Sequence, residues 1–128
     1  MIGESRLTAH RVQTPHSWER IVDFEFDELK REFLTEAEEK VVEMQAKLDE
    51  RSPQALERLT YLAHQLKGSG GSYGFERIST DAAELEKAAE LLVDGGQDDR
   101  LEEQIQLHVV NLRAEIQRRS RELAVSAR

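Results

Sequence analysis

Apolar residues recur along this chain at three- and four-residue steps, and four segments sustain the repeat long enough to be helices. The first runs from about Asp27 to Asp49, with Leu29, Phe33, Ala37, Val41, Met44 and Leu48 on one face. The second follows Ser52 as N-cap with Pro53 at the first helical position. Its apolar face holds Leu56, Leu59, Ala63, Leu66 and Gly70, with Leu62 beside it. The third starts near Phe75, uses Ile78, Ala82, Leu85, Ala89 and Leu92, and stops at Gly95-Gly96. The fourth opens with Asp99 as N-cap and Glu102 three residues on, a capping-box pattern. Leu101, Ile105, Val109, Leu112, Ile116 and Leu123 form its stripe. Ahead of these, Ser17 heads a short helix carrying Trp18, Ile21, Val22 and Phe24, expected to cap one end of the bundle. Residues 1–16 show no periodicity and read as a flexible tail. Short connections between long amphipathic helices predict an all-α fold over 17–128, an antiparallel up-down-up-down four-helix bundle with a short N-terminal capping helix.

Composition narrows the classes of function. The chain has 128 residues, enough for one domain with a core that needs no staples. With 34% charged residues and a net charge of −8 it lacks the basic footprint that nucleic-acid binding requires. There is no cysteine, which excludes disulfides and thiolate metal sites. No apolar run approaches the ~20 residues that span a bilayer, and the N-terminus has no apolar signal core. The expectation is a cytoplasmic protein with neither nucleic acid nor membrane as partner.

Candidate chemistry concentrates in AHQLKGSGGSYGF, Ala63 to Phe75. Three glycines inside one helix (Gly68, Gly70, Gly71) should cost about 1 kcal/mol each relative to alanine. At 100° per residue His64 falls more than about 90° from the middle of the apolar face, so it is expected to face solvent. Gly68 and Gly71 lie four and seven residues on, where side chains would crowd the ring, so the surface beside His64 is flat enough for another protein. Lys67 is the nearest flanking side chain. An alternative stays open: Gly68 to Gly74 as a loop ending the helix at Lys67. An imidazole titrating near pH 6.5 offers one ring nitrogen as nucleophile when the other holds the proton, and phosphoryl transfer asks chiefly for positioning and charge stabilisation. If the third helix folds back at Gly74, Glu86 comes within reach of the second ring nitrogen, with Glu84 and Glu90 as weaker candidates. The competing reading of Glu86 is one more solvated acid among twenty-six. His64 as an enzyme's general base would need a concave pocket, which a convex glycine-lined face does not provide. His10 and His16 fall in the expected tail, and no histidine pair has metal-ligand spacing.

AHQLKGSGGSYG resembles the signature of histidine-containing phosphotransfer (HPt) domains: His, two residues, Lys-Gly, five residues, Gly. His64, Lys67, Gly68 and Gly74 fill those positions. The resemblance starts near Glu28, where ELKREFLTEAEEKV and ALERLTYLAHQLKG look like the family's first long helix and the approach to its histidine. It continues through the third helix, and the fourth matches only as an amphipathic segment.

The resemblance implies a phosphorelay intermediate in a two-component system. His64 would accept a phosphoryl group from a receiver-domain aspartate and pass it to another receiver. Lys67 would stabilise the phosphoryl oxygens. Gly68 corresponds to the glycine that gives the receiver room, and Gly74 to the glycine of the turn after the histidine helix; with Gly71 they form the expected docking face, with Tyr73 or its neighbours at the rim. Glu86 matches a position where family members place a side chain bonded to the histidine. The implied partners are response-regulator receiver domains, and the chain would act as a monomeric phosphocarrier without kinase activity of its own. It needs no cofactor, since the Mg²⁺ for the step would come with the receiver. GSYGF and Glu86 are also similar to the phosphotransfer domain of chemotaxis kinases, so one alternative is phosphorylation by a separate histidine kinase core. A non-catalytic helical scaffold is the other.

Overall fold

The computed structural model describes residues 17–126, with side chains described over 23–125. The expected tail of residues 1–16, with His10 and His16, lies outside the described residues, as do the side chains of Trp18, Ile21 and Val22. Four helices follow one another: α1 Ser17–Glu50, α2 Pro53–Ser72, α3 Glu76–Gly95 and α4 Asp99–Ser126. None of them is long and apolar enough to cross a membrane. The separate N-terminal helix expected from the sequence is instead the first part of α1. No proline or glycine stands between Ser17 and Glu50 to interrupt the ladder.

The chain divides into two compact units, residues 1–30 and 31–128. In the described part of the first, Phe24, Phe26 and Leu29 are exposed, and the Lys30 ammonium lies 4.8 Å from the centroid of the Phe26 ring. Leu29, expected in the core, is 46% exposed, so the buried stripe of α1 begins at Phe33.

The second unit holds a core to which each of the four helices contributes. Phe33, Ala37, Val41, Met44 and Leu48 of α1 are buried as their spacing predicts, joined by Leu34. Leu59, Leu62, Ala63 and Leu66 face them from α2, Ile78, Ala82, Leu85, Ala89 and Leu92 from α3, and Ile105, Val109, Leu112 and Ile116 from α4. Local chemistry sets the helix ends. Arg51 takes a left-handed φ of 65°, and Ser52 then accepts a hydrogen bond from the Ala55 amide at 3.0 Å, with Pro53 opening α2. Gly96, at φ 83°, ends α3. The cap of α4 is Asp98 rather than Asp99. Its Oδ1 accepts from the amides of Arg100 and Leu101 at 3.1 and 3.2 Å, because a capping carboxylate must precede the first helical residue. With Asp98 as the cap, Leu101 stands at the third helical position, so the expected Asp99–Glu102 capping box is out of register, and the Glu102 carboxylate instead lies 3.5 Å from Arg51.

The glycine-rich segment is helical through Ser72, which settles the choice between loop and helix. Gly74 then turns the chain at φ 82°, with the amides of Gly74 and Phe75 bonded back to Gly71 and Gly70. Tyr73 is half-buried at the edge of the core rather than exposed: its ring stacks on Phe33 at 5.1 Å, and Phe75 stacks on the same ring at 5.8 Å.

Candidate functional site

Position 64 lies on the polar side of α2, between buried Ala63 and half-buried Gln65, and the His64 side chain is 62% exposed. It stands on an open surface rather than in a cleft. Gly68, one turn further, has open space where a Cβ would be. A Cβ on Gly71 would touch only Ser79 Oγ, at an ordinary 3.6 Å. These two glycines therefore answer no internal packing demand, and their smoothness is directed outward.

Gly70 differs. A Cβ there would meet the Ser79 backbone nitrogen at 3.1 Å and Ile78 Cγ2 at 3.2 Å. Its missing side chain lets the start of α3 lie against α2. The Ser79 hydroxyl completes this contact by donating to the Lys67 carbonyl at 2.7 Å. Ser79 carries no signal in the sequence, since nothing in a serine's spacing marks a bond twelve residues away. Gly74 serves the turn, where its positive φ favours glycine.

With α2 and α3 so joined, Glu86 of α3 reaches His64, one oxygen (Oε2) lying 2.9 Å from Nδ1. The other oxygen, Oε1, lies 2.9 Å from Lys67 Nζ. His64, Lys67 and Glu86 thus converge, whereas Glu84 and Glu90 are exposed. The Glu86 side chain is 13% exposed. Burial by itself would raise its pKa, but hydrogen bonds from Lys67 and His64, together with their charges, hold the carboxyl below its ordinary value. It is therefore an anion near neutrality, and an ionised carboxylate only accepts. His64 Nδ1 must carry the proton it donates, which leaves Nε2 of the neutral ring with its lone pair free. The group can present a nucleophilic nitrogen to an incoming electrophile, with an ammonium one helical turn along. That Lys67 and His64 share one carboxylate was not apparent from spacing alone.

Charged clusters elsewhere are of another kind. Among the described residues, no group of three or more His, Asp or Glu side chains is placed to hold a metal ion. Asp81 of α3 is half-buried, and its Oδ2 has no hydrogen-bond partner among the described residues, with Arg77 Nε at 3.8 Å. Glu115, buried on α4, pairs with Arg119 at 2.9 Å.

Comparison with protein families gives a match to the Hpt domain over residues 28–122. The match extends into α4, further than the motif resemblance alone reaches. No curated protein and no solved structure matches the chain. The chain belongs to the Hpt domain family, whose members carry out histidine phosphotransfer in two-component signalling.

Proposed function

We propose that this protein is a phosphorelay intermediate with His64 as its phosphorylated residue, carried on an up-down-up-down bundle in the cytoplasm. One observation carries the reading. An outward imidazole is held through Nδ1 by an ionised Glu86, beside a face that Gly68 and Gly71 leave bare.

In the forward step His64 Nε2 attacks the phosphorus of a receiver's aspartyl phosphate. The N–P bond forms as the acyl O–P bond breaks, and the electron pair leaves with the aspartate carboxylate. The Nδ1 proton stays in its hydrogen bond to Glu86, which stabilises the charge the ring acquires. Lys67, one helical turn along and bonded to the same carboxylate, supplies positive charge for the phosphoryl oxygens. Mg²⁺ belongs to the receiver. The reverse step passes the group to the aspartate of a second receiver.

The test is transfer from a panel of phosphorylated receivers to this chain and to His64→Gln. Labelling that is acid-labile, base-stable and absent from His64→Gln supports the assignment. Label retained by His64→Gln overturns it. Label obtained only from a histidine kinase core with ATP moves the chain to the kinase-fed role, and no label from either source leaves the scaffold reading standing.

A further inference from the structure

On the opposite side of His64 from the two glycines stands Tyr61, an exposed aromatic residue three positions earlier on α2 and 51% open to solvent. Three residues are about 4.5 Å of helix rise and about 60° of rotation, so this ring borders the imidazole. It is also contacted from two sides. The Arg58 guanidinium lies 5.5 Å from the ring centroid. Arg58 is itself fixed by two hydrogen bonds to Glu43 of α1, at 2.8 and 3.2 Å. Those bonds keep the Glu43 carboxyl below its ordinary value, so both members of the pair stay charged. From the other side Gln65 donates to Tyr61 Oη at 2.9 Å, leaving the phenol proton free for an outside acceptor.

An aromatic side chain needs no such support to be stable on a surface. What support provides is pre-organisation: a ring already fixed loses little freedom when a partner settles on it. Tyrosines of this kind are enriched among the few residues that dominate protein interfaces. The two flanks of His64 are therefore unlike. Gly68 and Gly71 offer no obstacle toward the C-terminal end of α2, while Tyr61 raises a fixed wall toward its N-terminal end.

We propose that Tyr61 is a docking contact for the phosphodonor domain, an aromatic anchor that binds that domain beside His64 equally before and during transfer. The occupant is the same receiver domain that the proposed function places over His64, and the inference rests on that reading. The contact is continuous with that docking face. It requires of the partner an apolar strip beside its anionic phosphoryl pocket, with a hydrogen-bond acceptor within reach of Tyr61 Oη.

The experiment uses the full chain, its Tyr61→Ala and Tyr61→Phe variants, and the same panel of phosphorylated receivers. Tyr61→Ala should raise the KM for the phosphorylated receiver by about tenfold or more, with kcat within about twofold. Tyr61→Phe, which keeps the ring and loses one neutral hydrogen bond, should raise KM by less than Tyr61→Ala, by about fivefold. Labelling of His64 by phosphoramidate, a donor too small to need docking, gives a second readout. Tyr61→Ala should match the unaltered protein there and keep its thermal midpoint. A KM unchanged in Tyr61→Ala overturns the inference and leaves the phosphorelay reading intact. So does a fall in kcat matched by an equal fall in phosphoramidate labelling, which would mean that the ring acts on His64 itself. If phosphoramidate labels His64 but no phosphorylated receiver does, both the reading and the inference fall.

Discussion

Glu86 Oε2 and Oε1 stand 2.9 Å from His64 Nδ1 and Lys67 Nζ, and this one side chain decides which ring nitrogen is free. Glu86→Ala should leave His64 exposed but unheld, slowing single-turnover transfer by about tenfold or more through the wrong tautomer and a mobile ring. Gly68 permits a test with opposed signs. Its Cβ position is open, so Gly68→Leu should raise stability by up to about 1 kcal/mol through helix propensity. The same side chain would stand where the partner must lie, so receiver-dependent transfer should fall while phosphoramidate labelling persists. Chemical denaturation and transfer kinetics on one sample measure both. The exposure of His64 and the bare flank were legible in the sequence because 100° periodicity fixes which positions share a face. The bond to Glu86 is legible only as proximity by counting, and the contacts of Arg58 and Gln65 with Tyr61 are not legible at all, although all three lie within one stretch of α2, because spacing does not say which way a long polar side chain turns.

At the scale of helices, Gly70 is the contact on which the α2–α3 junction depends. Gly70→Ala places a Cβ 3.1 Å from a backbone nitrogen that has little room to move, so overpacking should outweigh the gain in propensity. A loss of about 1–3 kcal/mol is expected by urea denaturation, opposite in sign to the change at Gly68. Hydrophobic spacing predicted the buried stripe of α3 and most of those of α2 and α4, because each of these helices buries one face in a single core; Leu56, Leu101 and Leu123 are half-buried at its edge. It misplaced what depends on atoms rather than on periods. Tyr73 packs half-buried against the core, its ring stacked on Phe33, and the cap of α4 falls on Asp98, one residue before the first helical position. Leu29 fits the period of α1 yet remains outside the core, since period alone does not say where along a helix its partners stop.

For the whole molecule, two carboxyls give acid stability opposing slopes. Glu86 titrates below its ordinary value in the folded protein. Its contribution is therefore full above the unfolded-state pKa and is lost as pH falls through the folded one. Asp81 behaves in the opposite sense. Burial raises its pKa, reinforced by Glu115 and Glu84 and opposed by Arg77 and His108. Its ionised form therefore costs stability near neutrality, a cost that disappears as pH falls through its folded-state pKa. Asp81→Asn should stabilise the protein by about 1 kcal/mol at pH 7, and the gain over the unaltered chain should shrink as the solution is acidified. Thermal midpoints of the two proteins across an acid series check this. Asp81 was not singled out in the sequence, since a lone aspartate on an amphipathic helix reads as solvated until its neighbours on α4 are placed.

The carboxylate shared by His64 and Lys67 has a consequence for how such a site can be altered. Removing the ammonium leaves Glu86 with a single ligand, free to swing or to take up a proton, so the imidazole is disturbed by a change that never touches it. Losses at positions 64, 67 and 86 then cannot simply add, and a thermodynamic cycle over any two of them should report strong coupling. Substitutions acceptable at one corner of this triangle depend on what occupies the other two, so the three positions are constrained to drift as a set.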